Sequence, residues 1–210
     1  MKRVVITGLG IISCIGNTKE DIVHNLKNLK SGIVKAPEYE EFSFRSLVHG
    51  KPNINLEENI DRKILRFMGD GAAYNYIAMK NAIEDAGLEE KEVSNEMTGI
   101  IVGSGGPSTQ NFLNAYETAK SRGAKKVSPY MVPRTMSSTN TATLATPFKI
   151  KGVNYSISSA CSTSSHCIGN SYELIQLGKQ KIIFAGGGEE LHWTMSVLFD
   201  AMGARNNLYI

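Results

Sequence analysis

The chain has 210 residues, 41% hydrophobic and 20% charged, with a formal net charge of +3. That length suits one large domain or two small ones, and so small a charge excess is no argument for nucleic acid as a partner. No apolar run approaches the roughly 18 residues of a membrane span, and Met-Lys-Arg leads into a β-run rather than a signal-peptide core.

Arg3–Thr7 reads as a first strand ending in Gly8-Leu9-Gly10. A helix is expected from Thr18, a good N-cap followed by Glu20 and Asp21, to Leu29. Residues 33–60 hold Pro37 and Pro52 and read as an irregular covering loop. Asp61–Met68 reads as a short basic helix, and Gly71–Ala86 as an amphipathic one closed by Gly87. Thr98–Val102 is a β-branched strand running into Gly103-Ser104-Gly105-Gly106-Pro107, and a helix over Thr109–Ser121 follows. Ser128–Pro133 is expected to be extended, because each proline disfavours helix in the residue before it. Ser137–Phe148 reads as a tightly packed helix, Val153–Ser158 as a strand and Asn170–Leu177 as a helix. Lys181–Ala185 makes a last clear strand before Gly186-Gly187-Gly188. Strands alternating with helices, with no repeat and no linker, argue for a layered α/β domain.

Ser159–Gly169 carries the most chemistry. Between a strand and a helix, it puts Cys161 on a sharp turn near a helix N-terminus, where unsatisfied N–H groups and the dipole favour a thiolate. Small neighbours (Ser159, Ala160, Ser162) leave room for a substrate carbonyl, and the turn's N–H groups can stabilise an oxyanion. Cys161 therefore reads as an acyl-accepting nucleophile, against the bland alternative of a buried structural cysteine. His166 lies five residues on, would point elsewhere on a helix, and is read as structural. Three cysteines (Cys14, Cys161, Cys167) are too few for a disulfide framework and fit a reducing cytoplasm.

Other motifs are weaker. Gly8-Leu9-Gly10 lacks the third glycine of a dinucleotide fingerprint, Ser13 standing there, so a tight turn under the sheet is the better use. Gly103-Ser104-Gly105-Gly106 lacks the Gly-Lys-Ser/Thr of a P-loop and marks a place where backbone approaches a substrate or another strand. No cofactor is therefore called for. Glu189-Glu190-Leu191-His192 has one Glu-x-x-His spacing without the second copy a di-iron centre needs, and Cys161, His166 and Cys167 do not have zinc spacing, so no metal is assigned. Arg62, Lys63 and Arg66 share a short helix, and Lys120, Arg122, Lys125 and Lys126 form a second basic cluster. Each is either a solvated surface or a docking face for a compact acidic partner. Without interleaved aromatic platforms, single-stranded nucleic acid is disfavoured.

Taken together, these residues resemble the β-ketoacyl-[acyl-carrier-protein] synthases of bacterial fatty-acid synthesis, and within them the synthase I branch. Val4–Gly10 looks like the family's opening strand, Asp61-Arg62-Lys63 with Arg66-Phe67-Met68 like its basic helix, and Leu144–Cys161 like the approach to its nucleophile. Phe184–Leu191 and Phe199–Ala204 continue the match. The resemblance implies a thiolase-like α/β fold, of which this would be the first half of a layered αβαβα architecture. It implies an acyltransferase in which Cys161 takes a fatty acyl group from acyl carrier protein. Decarboxylative condensation with malonyl-carrier protein then gives a 3-oxoacyl product. By the same resemblance Met195 and Phe199 line the acyl pocket, Arg62, Lys63 and Arg66 meet the acidic carrier protein, and the enzyme is a cytoplasmic homodimer.

The chain also departs from the family. Members are about twice as long and carry two catalytic histidines, in motifs such as Asn-Ser-His-Gly-Thr and Thr-Gly-His, together with a lysine and a Gly-Phe-Gly-Gly loop, in the second half. Here His24, His49, His166 and His192 stand in no such context. The resemblance spans residues 1–204, with the last strand of the half missing; residues 205–210 look like a divergent tail, as a premature end, a frameshift or a split gene would leave. The expectation is a truncated synthase unable to condense alone. The alternative is a non-catalytic or carrier-binding fragment that dimerises with a full synthase. An elbow-type hydrolase fits worse, since Ser159 and Thr163 occupy its glycine positions.

Overall fold

The computed structural model describes residues 2–204; the tail expected at 205–210 lies outside them. In chain order the elements are α1 (Lys19–Lys27), β1 (Val34–Lys35), α2 (Pro37–Glu41), β2 (Val48–His49), α3 (Leu56–Asn59), α4 (Arg62–Leu65) and α5 (Asp70–Ala86). Then come α6 (Glu90–Val93), β3 (Thr98–Gly103), α7 (Thr109–Arg122), α8 (Met131–Thr135) and α9 (Thr139–Ala145). The last are β4 (Asn154–Tyr155), α10 (Thr163–Gln176), β5 (Ile182–Gly187) and α11 (Trp193–Ala201). Contacts divide them into two units: Met1–Ile11 with Asn55–Glu190, and Ile12–Ile54 with Leu191–Ile210.

The larger unit is built on β3. Every residue of Thr98–Gly103 is buried, as an apolar run in a parallel sheet should be. It pairs in parallel with β5 from Thr98↔Ile182 to Gly103↔Gly187, and with β4 at Ile100↔Asn154 and Ile101↔Tyr155. The strand order is thus β4-β3-β5. Helix α10 packs on β3 and β5, while α9 packs on β3, β4 and α5. Helix α5 ends as expected at Gly87, whose φ of 64° lets its N–H reach the Glu84 and Ile83 carbonyls.

Three expectations about the larger unit are corrected. Arg3–Thr7 is not a strand: among the described residues, 2–11 join no ladder. Gly8 and Gly10 lie instead against the backbone of α5, where a Cβ would come within 2.3 Å of the Ala82 oxygen and 1.7 Å of the Ala78 oxygen. The Leu9 N–H donates to the Asp85 carboxylate (3.0 Å). The glycines serve this close approach to a helix rather than a turn under the sheet, and Val5 and Ile6 remain 59% and 81% exposed. Second, Ser128–Pro133 is not extended throughout, since α8 contains Pro133. In a first turn the N–H that proline lacks has no intrahelical partner anyway, and its fixed φ suits a helix. Third, the helix after Cys161 starts at Thr163 instead of Asn170, and the strand before it shortens to Asn154–Tyr155.

The smaller unit turns the presumed irregular stretch into structure, with β1 and β2 paired antiparallel. Ala36, Tyr39 and Phe44 form its core, with Leu47, Trp193 and Val197 packed on them. Tyr39 stacks on Phe44 with ring centroids 4.4 Å apart, and its hydroxyl bonds to Ser196 Oγ (2.7 Å). Thr18 caps α1 as expected, its side chain accepting from the Asp21 N–H. Among the described residues no helix is long and apolar enough to cross a membrane.

Asp200, only 8% exposed, ties this unit together. Its carboxylate accepts from the Arg45 N–H (3.1 and 3.2 Å) and the Ser46 N–H (3.4 Å), and its carbonyl accepts from Arg45 Nη1 (3.0 Å). Asp200→Ala takes a charged acceptor from part-buried N–H donors and should lower unfolding free energy by about 1–3 kcal/mol in urea titration; a change below about 0.5 kcal/mol, the range of ordinary surface substitutions, contradicts the role assigned here.

Candidate active site

Cys161 sits where sequence reasoning places it, exposed at the centre of a 3-10 turn, Ala160–Ser162, that feeds directly into α10. The turn is tightly held. The Ser159 N–H donates to Thr163 Oγ1 (2.7 Å), the Ser162 N–H to the Ser159 carbonyl (3.0 Å), and Thr163 is buried. Ala160 takes a φ of 46°, a left-handed conformation that a side chain resists by about 1–2 kcal/mol. Strain of this kind persists only because the surroundings over-determine the turn.

Those surroundings come from β3. Gly103, its last residue, admits the chain so closely that a Cβ would lie 2.0 Å from the Ile157 oxygen and 2.4 Å from Thr163 Cγ2. Upstream, Ser156 Oγ donates to the Val102 carbonyl (2.8 Å) and bonds to Thr141 Oγ1 (2.7 Å). Gly105 approaches Ala160 in the same way, with the Ala160 oxygen 3.1 Å from where its Cβ would be. The glycine-rich segment at the end of β3 thus marks close approach to the chain before Cys161 and to the turn that carries it.

Two glutamates complete the wall; sequence reasoning weighed them as metal ligands and included them in the resemblance over Phe184–Leu191 without giving either a role. Glu189 accepts from Ser104 Oγ (2.6 Å) and from the Gly105 N–H (2.8 Å). Glu190 accepts from Ser108 Oγ (2.5 Å), Thr109 Oγ1 (3.2 Å) and the Gln110 N–H (3.0 Å). Glu190 therefore sits at the N-terminus of α7, where orphan N–H groups and the dipole favour an anion. Burial, with help from Asp70 and Glu190, pushes the Tyr74 hydroxyl up to about 12. Among the described residues no cluster of His, Cys, Asp and Glu is arranged to hold a metal. His192 instead caps α11, its ring accepting from the Thr194 N–H.

The remaining sequence candidates fall in two places. Arg62, Lys63 and Arg66 are all exposed on or next to α4, which is capped by Asp61 accepting from the Lys63 N–H (2.7 Å). Arg62 and Arg66 line an open recess of about 620 Å³ together with Glu57, Ile60, Leu65 and Arg134, the last a residue that sequence reasoning missed. Met195 and Phe199 lie one turn apart on α11 of the smaller unit. His166 is exposed on α10, and Cys167 is fully buried beneath it.

This parallel α/β fold is that of the thiolase-like ketosynthases, and solved structures of that class superpose on this chain. A β-ketoacyl synthase from Burkholderia phymatum STM815 matches with a TM-score of 0.88 at 30% identity, over 99% of this chain and 52% of that one. A type II polyketide ketosynthase, solved in complex with its acyl-carrier protein and bound to the hexaketide, matches in fold with a TM-score of 0.78 at 19% identity, over 98% of this chain and 56% of that one. In sequence, residues 1–207 match the model of the β-ketoacyl synthase N-terminal domain, and the chain belongs to that family. The 3-oxoacyl-[acyl-carrier-protein] synthase 1 of Haemophilus influenzae is 56% identical over all 210 residues, which cover 52% of that relative. The chain thus spans about half the length of the curated relatives it matches.

The two helix-associated cysteines should differ sharply in reactivity. Burial pushes the Cys167 thiol up, so less of it is thiolate at any given pH, and it is also inaccessible. Iodoacetamide at neutral pH should therefore modify Cys161 at least about tenfold faster than Cys167 in the folded chain, with the difference vanishing in urea. Peptide mass spectrometry reads both sites, and equal folded-state rates would contradict this arrangement.

Proposed function

We propose that this chain is the N-terminal half of a 3-oxoacyl-[acyl-carrier-protein] synthase, with Cys161 as its acyl-accepting nucleophile. The observation that carries the reading is the exposed cysteine on an over-determined turn, in a chain 56% identical to a protein of that name. The Cys161 thiolate attacks the thioester carbonyl of an acyl-carrier protein, and the turn's N–H groups stabilise the resulting oxyanion. The carrier thiolate leaves and takes a proton, and the acyl group stays on sulfur. In the whole enzyme, malonyl-carrier protein then loses carbon dioxide, and the carbanion so formed attacks the acyl carbonyl. The Cys161 thiolate departs, leaving a 3-oxoacyl product two carbons longer.

Met195 and Phe199 line the acyl pocket in this proposal, and Arg62, Lys63 and Arg66 dock the acidic carrier protein. Exposed guanidinium groups beside an open recess suit encounter with a negative partner, and a structural neighbour is a ketosynthase solved with its carrier protein. The enzyme works as a cytoplasmic homodimer.

The 210-residue chain should form the acyl-enzyme and stop there. None of His24, His49, His166 and His192 lies in the histidine motifs that serve condensation in the family. Incubation with acyl-carrier protein should add the acyl mass to Cys161, with no adduct in Cys161→Ala. Addition of malonyl-carrier protein should release no 3-oxoacyl product; its appearance overturns the division of labour between halves. Carrier binding without any acyl adduct would instead support the non-catalytic fragment.

A further inference from the structure

Arg134 belongs to α8, outside both basic clusters of the sequence, yet it lines the same recess as Arg62 and Arg66. Its Nε donates to the Arg66 carbonyl (3.0 Å) and its Nη1 to Asn111 Oδ1 (3.2 Å). Arg66 is the C-cap of α4, where a backbone carbonyl has no intrahelical donor, so Arg134 supplies what that helix end needs. The other anchor is firm as well. Asn111 is 7% exposed, and its amide nitrogen donates to Ser108 Oγ (2.8 Å), which in turn donates to Glu190. A continuous set of hydrogen bonds therefore runs from the end of α4, through Arg134 and the first turn of α7, to Glu190, next to the glutamate that holds the Ser104–Gly105 wall.

Two consequences follow for the recess. A guanidinium has five N–H donors, and the two bonds above leave three for a ligand. Because the plane of Arg134 is already set, binding an anion there loses little side-chain entropy. Arg66 is also restrained, its guanidinium carbon 4.9 Å from the ring centroid of Phe67 and 5.2 Å from that of Tyr130. The recess thus presents cations that are ordered before any partner arrives, whereas free surface lysines are not.

We propose that Arg134 is a further carrier-recognition residue, a positioning residue that fixes the Arg66 end of α4 and completes a three-guanidinium recess for the carboxylates of an acidic carrier protein. This rests on the carrier-protein reading above. Lysine keeps the charge but cannot bond both the Arg66 carbonyl and Asn111 through one rigid plane, so charge and positioning are separable at this position.

The test compares acyl-carrier-protein affinity at low salt for the unaltered chain, Arg134→Met, Arg134→Lys, and Lys151→Met as a charge-matched control at an exposed lysine. Arg134→Met should bind about tenfold more weakly and Arg134→Lys nearly as weakly, with Lys151→Met within about twofold of the unaltered chain. Amide hydrogen exchange at residues 66–68 should quicken in both Arg134 variants, with protection retained in β3 as the mark of an intact fold. Equal losses in Arg134→Met and Lys151→Met would reduce the effect to diffuse charge and overturn the proposal, as would full rescue by lysine or unchanged exchange at 66–68. Failure of the unaltered chain to bind carrier protein is a different result: it defeats the functional reading itself.

Discussion

The paired edges of Thr98–Gly103 are the constraint on which the larger unit depends. With a strand bonded on either side and every residue buried, β3 cannot shift register without unpairing both neighbours. Its C-terminal end is therefore a fixed point, and Gly103 lets the chain before Cys161 come to backbone contact with it. A single Cβ there would overpack the seam, a fault that in protein interiors typically costs about 1–3 kcal/mol, and it would move the Cys161 turn directly. The left-handed Ala160 is tolerated for the same reason, since Thr163, Gly105 and β3 leave the turn no relaxed alternative.

The charge layout around that turn follows a simple rule. Glu189 and Glu190 are held by neutral donors, from serine and threonine hydroxyls and backbone N–H groups, and Glu190 gains further from the helix dipole of α7. These carboxylates need no arginine, and neither draws on the guanidinium groups of Arg62 and Arg66. Arg134 makes neutral bonds too, to a carbonyl and a carboxamide, so its positive charge is not neutralised by its anchors. Anions that shape the wall and cations that face the recess thus coexist without cancelling.

What was legible in the sequence was written in neighbouring residues. Thr18 with Glu20 and Asp21, Gly87 after Ala86, and small residues around Cys161 each state a local geometry, and the structure has each of them. The thiolase-like architecture was likewise readable, because the stretch approaching Cys161 is so specific. What was not legible depends on residues far apart in the chain. The Val-Ile run near the N-terminus has the alternation of a strand, but whether it meets a strand edge or the backbone of α5 is decided about 75 residues later, at Ala78 and Ala82. Pro133 lies in the first turn of α8, where its missing N–H costs no intrahelical bond, and the helix forms there despite the usual preference against helix in the residue before proline. Arg134 carried no signal at all, since its meaning lies in the Arg66 carbonyl and in Asn111.

The capping of α7 by Glu190 also has a temporal side. The carboxylate and the Gln110 N–H are separated by 80 residues, so at about 5–20 residues per second on a ribosome the helix start waits roughly 4–16 s for its anion to be synthesised. Emergence from the exit tunnel lengthens that wait. During it, the first turn of α7 has only Ser108 as its cap, and Ser104 and Gly105 lack the carboxylate that holds them. The order of synthesis therefore makes the wall beside Cys161 a late event in the birth of the chain, completed only when β5 arrives with Glu189 and Glu190 at its end.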